Sequence, residues 1–166
     1  MKRIVLLLLA TCFASLAFAQ STEGDPANKL KPDLPAFKLL SLDSTKVQTK
    51  EQLAKGKPVM ILLFSPDCDH CKQLTESIVA NKKKLKDIQV VMSSFKSLPL
   101  IKPFYEATKA SEIPNLIIGK DFSWFFSSYY KFQKYPLIAL YNKNHQLINT
   151  YEYTVDIKQL LDILNK

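Results

Sequence analysis

The apolar run from Val59 to Phe64 constrains the fold of this chain more than any other stretch. Its residues, Val59-Met60-Ile61-Leu62-Leu63-Phe64, are all hydrophobic and show no polar alternation. Such a run is typical of a strand that is covered on both faces. The sequence therefore predicts that this strand lies in the middle of a sheet with helices on both sides.

Two cysteines follow this run in the stretch Ser65-Pro66-Asp67-Cys68-Asp69-His70-Cys71. After them, Leu74, Ile78 and Leu85 indicate a helix with one apolar face. The order predicts strand, turn and helix, with Cys68 at the helix N-terminus. A redox centre, a metal site and a structural bridge are all compatible with this layout.

The N-terminus has the composition of a secretory signal. Met1-Lys2-Arg3 is basic, Ile4 to Ala19 is almost wholly apolar, and Ala17-Phe18-Ala19 offers small residues for cleavage before Gln20. An uncleaved membrane anchor fits less well, because the run is shorter than the roughly 20 residues that a spanning helix needs. A lipid anchor at Cys12 also fits less well, since Thr11 is unfavourable before the cut. We expect an exported, periplasmic protein with a signal peptide over residues 1–19.

The remaining chain reads as a linker over residues 20–33 and one domain over residues 34–166. Loss of Lys2 and Arg3 with the signal lowers the net charge from +8 to +6, and this charge comes mostly from scattered lysines. An exported protein meets little nucleic acid, so we expect no nucleic-acid partner. The one basic run, Lys82 to Lys84 with Lys86, is expected at the end of the helix after Cys71. A monomer is the expected oligomeric state.

Removal of the signal also removes Cys12 and leaves Cys68 and Cys71 as the two cysteines. A disulfide between residues so close in sequence removes little unfolded-state entropy. The pair is therefore explained by redox chemistry or by metal binding.

Further elements follow from pattern and turn residues. The sequence predicts a hairpin over Phe37–Leu42 and Lys46–Gln48, a brief helix after Thr49, and a strand over Ile88–Phe95. It then predicts a helix over residues 98–112, a short strand over Asn115–Ile118, a helix over Ser123–Phe132, and a hairpin of Leu137–Tyr141 with Leu147–Tyr153. A last helix begins at Asp156 and buries Ile157, Leu160, Leu161 and Leu164. Strand, crossover helix and strand in succession predict parallel pairing.

This order, together with Cys68-x-x-Cys71 and Tyr135-Pro136 before a late strand, resembles the thioredoxin superfamily, and in particular the exported TlpA-like thiol–disulfide oxidoreductases. The resemblance covers about residues 34–166. It implies an α/β thioredoxin-like fold, with a central mixed β-sheet flanked by helices and an N-terminal β-hairpin. It also implies that Pro136 is a cis proline beside the cysteine pair, and that the backbone of Tyr135 binds a substrate chain as an added strand.

The position of the thiols suggests their roles. Free N–H groups and the helix dipole favour the thiolate of Cys68, which is then the nucleophile, while Cys71 resolves the mixed disulfide. His70 resembles the histidine of oxidising and isomerising members, which stabilises the thiolate. Asp67 and Asp69 have the opposite effect, because carboxylates beside a sulfur disfavour the thiolate. The direction of electron flow therefore stays open.

The chain departs from the family at two positions. Leu62 stands where many thioredoxins carry a buried acid, and Asp67 stands where a tryptophan is common. Proton transfer to and from Cys71 would then use water or another group.

Two other classes of protein are compatible with parts of the cysteine motif. Ser65 fits the hydroxyl position of the peroxiredoxin signature, but Ile61 replaces its proline. Cys68 and Cys71 with His70 or His145 could hold copper(I) or zinc. The alternative to an oxidoreductase is therefore a binding module that holds a metal ion or a protein partner without redox turnover, although we assign no metal site.

Eight aromatic residues crowd positions 122–135. Phe125, Tyr129 and Phe132 have helical spacing and are expected in the core. The hypothesis for the remaining rings is that some of them, Trp124 or Tyr130, edge an apolar groove for an unfolded or partner protein. The sequence thus favours an enzyme without organic cofactor that exchanges disulfides with exported proteins and with a membrane-bound redox partner.

Overall fold

The computed structural model of the protein describes residues 33–165. The predicted signal peptide, nearly all of the predicted linker and Cys12 lie outside the described residues. The division of the chain at residue 33 stays a prediction.

The described chain contains seven strands and four α-helices. In order they are β1 (Lys38–Ser41), β2 (Val47–Thr49), β3 (Val59–Leu63), α1 (Asp69–Ala80), β4 (Gln89–Ser94), α2 (Leu98–Ala107), β5 (Leu116–Lys120), α3 (Phe125–Tyr130), β6 (Leu137–Tyr141), β7 (Leu147–Glu152) and α4 (Ile157–Leu164). Short 3₁₀ helices span Lys50–Gln52, Lys82–Leu85 and Ala110–Glu112.

The strands form one mixed sheet in the order β2-β1-β5-β4-β3-β6-β7. β3, β4 and β5 are parallel neighbours, whereas β6 runs antiparallel to β3 and β7 antiparallel to β6. The N-terminal hairpin joins this sheet through the antiparallel pairing of β1 with β5. The predicted fold class, including the hairpin and the parallel crossover, is confirmed.

β3 explains why its sequence has no polar residue. Met60 and Leu62 face a core formed with α1, α2 and α4, whereas Val59, Ile61 and Leu63 face a second core formed with α3. All of these side chains are buried. The strand is therefore covered on both faces, as the unbroken apolar run predicts.

Gly119 permits the hairpin to join the sheet. A Cβ atom at this position would collide with the backbone carbonyl oxygen of Leu40 on β1. Because backbone cannot move aside as a flexible side chain can, a residue without a side chain is needed where β1 and β5 meet.

Two local predictions differ from the structure. α1 ends at Ala80, so Leu85 and the lysine run belong to a separate 3₁₀ helix rather than to the end of α1. The helix predicted over residues 98–112 ends at Ala107, and Lys109 then adopts a left-handed conformation (φ 53°) before the next turn.

The aromatic segment also packs differently from the prediction. Phe126 and Tyr130 are its buried rings, and the Tyr130 and Tyr141 hydroxyl oxygens lie 2.6 Å apart in a hydrogen bond. Phe125, Tyr129 and Phe132 are half-buried at the border of this core. The expectation that Tyr130 edges a groove is wrong, because α3 turns that ring inward.

Over residues 33–165, no helix combines the length and the apolar character that crossing a bilayer requires.

Candidate functional site

The pairing of β3 with β6 places the cysteine motif and Pro136 at one end of the sheet. Leu63, the last residue of β3, lies opposite Leu137, the first residue of β6. The turn that follows β3 therefore meets the turn that precedes β6. The Tyr135–Pro136 peptide bond is cis, which confirms the isomer expected from the resemblance, and Pro136 is buried.

Cys68 is the N-cap residue of α1. Its backbone is extended (φ −104°, ψ 112°), and its Sγ atom accepts a hydrogen bond from the backbone N–H of Cys71 at 3.2 Å. The sulfur thus lies at the positive end of the α1 dipole, and a backbone N–H points at it. The structure thus brings Cys68 into the position that the sequence predicts for the nucleophile.

Cys71 lies in a different environment. Its side chain is 0% exposed and belongs to the core beneath α1, while Cys68 is half-buried, and both thiols are free. Burial, and then the neighbouring Cys68 thiol, raises the pKa of Cys71 above its ordinary value. At neutral pH Cys71 is therefore a protonated thiol.

The central strand offers no acid to deprotonate Cys71, because Leu62 is fully buried and apolar. A buried carboxylate does lie at this end of the sheet, in Asp121 just after β5. It accepts hydrogen bonds from the N–H groups of Ser123 (3.2 Å) and Phe126 (2.8 Å), and so holds the start of α3. Asp121 was not among the residues predicted for the site. Its place between a strand and a helix could have indicated that it holds the start of that helix.

Two groups contact the carboxylate of Asp67. Its carboxylate accepts a hydrogen bond from the Ser65 hydroxyl and pairs with the Lys96 ammonium at 3.2 Å. The Ser65 hydrogen bond, and then Lys96, lower the pKa of this exposed acid, so it stays ionised at neutral pH. Lys96 follows β4 at the same end of the sheet and offsets the negative charge that Asp67 brings near the thiols.

His70 packs against Tyr153, the residue after β7. The two ring centroids are 4.4 Å apart and the ring planes meet at 64°. The ammonium of Lys134 lies 5.3 Å from the centroid of the same tyrosine ring. His70 is therefore held by an aromatic contact, which the sequence did not predict.

Tyr135 is half-buried between other rings. Its ring centroid lies 4.8 Å from that of Phe132 and 6.3 Å from that of Phe95. Burial raises the pKa of Tyr135 to about 12, against an opposing hydrogen bond with Ser127. Phe95 in turn stacks on Trp124 with centroids 4.1 Å apart.

Exposed apolar side chains concentrate around this end of the sheet. Large hydrophobic side chains that are exposed in the described residues are Val47, Leu100, Phe122, Trp124, Ile148 and Tyr153. Four of these six, all except Val47 and Ile148, lie in the segments that follow β4, β5 and β7. Trp124 is 54% exposed and is thus available at a surface.

A groove of about 440 Å³ adjoins the cysteine turn. Pro66 and Asp67 of the cysteine turn line it together with Leu100 and Phe104 of α2. The groove places an apolar surface directly beside the residues that precede Cys68.

The candidate metal ligands do not converge in the described residues. Between residues 33 and 165, no group of three or more histidine, cysteine, aspartate or glutamate side chains could hold a metal ion. His145 lies in the turn between β6 and β7, which is the end of the sheet opposite to Cys68.

Comparison with known proteins agrees with this architecture. Residues 45–166 match the family model described as a thioredoxin-like domain. No curated protein matches the sequence.

Several solved structures are similar in fold. A secreted disulfide oxidoreductase of Mycobacterium tuberculosis is 14% identical, with a TM-score of 0.65 over 78% of this chain and 94% of that chain. The exposed lipoprotein thioredoxin of Streptococcus pneumoniae is 22% identical, with a TM-score of 0.62 over 79% and 98%. The thioredoxin domain of a Bacteroides vulgatus thiol–disulfide oxidoreductase is 17% identical, with a TM-score of 0.63 over 79% and 91%. At these identities the likeness shows the fold.

The two thiols are expected to differ in alkylation. In the reduced protein, iodoacetamide should modify Cys68 rapidly at pH 7. Cys71 should react at least about tenfold more slowly than Cys68, because Cys71 is buried and its raised pKa keeps it protonated. Tandem mass spectrometry of the labelled peptide locates the modification. In denaturant both thiols should react at similar rates, and equal rates in the native protein would contradict the assigned roles.

Proposed function

Because the chain belongs to the family of thioredoxin-like domains, we propose that it is a thiol–disulfide oxidoreductase with Cys68 and Cys71 as its redox pair. The observation that carries the proposal is the asymmetry of the two thiols. Cys68 accepts an N–H at the start of α1, while Cys71 is a buried, protonated thiol one turn further along. One sulfur can attack an external disulfide, and the other is protected until a mixed disulfide has formed.

The exchange has two steps. The Cys68 thiolate attacks one sulfur of a substrate disulfide, a new S–S bond forms, and the other substrate sulfur leaves as a thiolate. Cys71 then gives its proton to water and its sulfur attacks the sulfur of Cys68. The S–S bond between Cys68 and the substrate breaks, and the second substrate sulfur leaves as a thiolate. The substrate gains two electrons, and the protein ends with a Cys68–Cys71 disulfide.

The same steps run in reverse when the protein oxidises a substrate dithiol. The direction follows from the reduction potential of the pair relative to that of the compartment and of the redox partner. Lys96 pairs with Asp67 and so offsets one of the acidic charges of the cysteine motif.

The surface around Cys68 suits a protein substrate. Leu100, Phe122, Trp124 and Tyr153 expose apolar area at the end of the sheet that carries Cys68. Apolar patches of this kind mark surfaces that bind other proteins. We propose that the substrates are exported proteins with thiols or disulfides, that the backbone of Tyr135 pairs with the substrate chain beside Pro136, and that a membrane-bound partner exchanges electrons with the pair.

Trapping tests the reaction. Cys71→Ser should accumulate mixed disulfides between Cys68 and exported proteins, because the resolving thiol is absent. Cys68→Ser should trap at least about tenfold less, since Cys71 is buried. Non-reducing gels and mass spectrometry of the trapped partners provide the measurement. An absence of trapped partners, together with stoichiometric copper or zinc on the purified wild-type protein, would instead support a metal-binding module.

The apolar surface is tested with a matched pair of variants. Leu100→Ser with Trp124→Ser should lower kcat/KM for a protein disulfide by about tenfold, the loss expected when apolar contacts worth somewhat more than 1 kcal/mol are removed. The rate with hydroxyethyl disulfide, a small molecule, should stay unchanged. Val47→Ser with Ile148→Ser removes exposed apolar side chains elsewhere and should leave both rates unchanged. Equal losses in the two double variants would contradict a role in substrate binding.

Export is proposed from the N-terminal sequence, and the fold neighbours from Mycobacterium tuberculosis and Streptococcus pneumoniae are described as secreted and exposed. When the full chain is produced in a bacterium with a periplasm, the mature protein should begin at Gln20 and appear in the periplasmic fraction. Intact mass measurement checks the cleavage. A cytoplasmic protein that retains residues 1–19 would contradict export, and a lipid on Cys12 would replace cleavage at Gln20 with an anchor.

A further inference from the structure

Tyr153 occupies an unusual position for a large residue. Its φ angle is 71°, in the left-handed region, and its side chain is 46% exposed. Left-handed backbone is unfavourable for residues with a Cβ atom and is a marked outlier for bulky ones, whereas glycine adopts it readily. Because the side chain is not buried in the core, the contacts that its ring makes at the surface are the interactions that can offset this backbone cost.

The ring of Tyr153 contacts His70 of the cysteine motif. The centroids lie 4.4 Å apart in an edge arrangement, and the Lys134 ammonium lies 5.3 Å from the tyrosine centroid. The backbone N–H of Tyr153 donates a hydrogen bond to the carbonyl oxygen of Pro136 at 2.9 Å. One residue therefore joins the cis-proline turn to the first turn of α1.

We propose that Tyr153 is a positioning residue that holds the imidazole of His70 at the start of α1 and thereby sets the reduction potential of Cys68 and Cys71. This inference rests on the proposed function. His70 is the second residue of α1 and is only half-buried, so without the tyrosine ring its side chain would sample several rotamers. The distance from the imidazole to the Cys68 sulfur sets how strongly a histidine favours the thiolate, and that preference is part of the reduction potential.

Tyr153→Gly separates this role from a structural one. The variant removes the ring and relieves the left-handed backbone, so its melting temperature should not fall. Its redox equilibrium constant with glutathione should nevertheless change at least threefold, which corresponds to about 14 mV. Tyr153→Phe keeps the ring and should retain the wild-type constant.

Ser44→Gly is the matched control, because Ser44 is also left-handed (φ 64°) and lies in the turn between β1 and β2. It relieves a similar backbone conformation far from His70 and should leave the constant unchanged. A change of the same size in Ser44→Gly, or no change in Tyr153→Gly, would overturn the proposal.

A double-mutant cycle with His70→Ala tests whether the ring acts through His70. In the His70→Ala background, Tyr153→Gly should have no further effect on the equilibrium constant. If the full effect persists there, Tyr153 acts by another route and the inference is wrong. The equilibrium with glutathione needs only the two cysteines, so the cycle returns an answer even if trapping shows that the protein has no exported substrates.

Discussion

The antiparallel pairing of β3 with β6 is the interaction on which the candidate site depends. It fixes Leu63 opposite Leu137 and so brings the start of α1 against the cis-proline turn. Because side chains alternate between faces, a slip of one residue would also move Ile138 and Leu140 from the core beneath α1 to the opposite face. The burial of β3 on both faces makes such a slip costly, and the same burial that stabilises the sheet therefore sets the geometry of the thiols.

The chemistry of the site arises from unequal environments rather than from unusual residues. Cys68 and Cys71 are separated by two positions, yet one meets solvent at a helix start and the other lies in the core. Each acidic side chain nearby also has its own local partner. Lys96 pairs with Asp67, and the backbone N–H of Phe126 at the start of α3 donates a hydrogen bond to Asp121. With Leu62 in the central strand, proton transfer at Cys71 falls to water or to groups at the rim of the site.

Features that depend on residues close together in the sequence could be predicted. Neighbouring residues predict the strand before the motif, the helix after it, and the last helix with its stripe at Ile157 and Leu160. The place of Pro136 beside the cysteines follows instead from the resemblance to the thioredoxin superfamily. The buried rings of α3 were not predictable in this way, because two sets of aromatic residues have helical spacing and the point where the helix begins decides between them. The contacts of Lys96 with Asp67 and of Tyr153 with His70 join residues far apart in sequence. They depend on strand order and register, which no local pattern specifies.

The two edge strands of the sheet, β2 and β7, limit how a strand of another chain can pair with it. One edge strand, β2, has three residues. The other, β7, pairs with β6 through an irregular register. Short or irregular border strands offer few unpaired backbone groups to a foreign strand. For the proposed disulfide exchange with other proteins, edge strands of this kind disfavour pairing of a foreign strand along the sides of the sheet and leave the end that carries Cys68 for the contact.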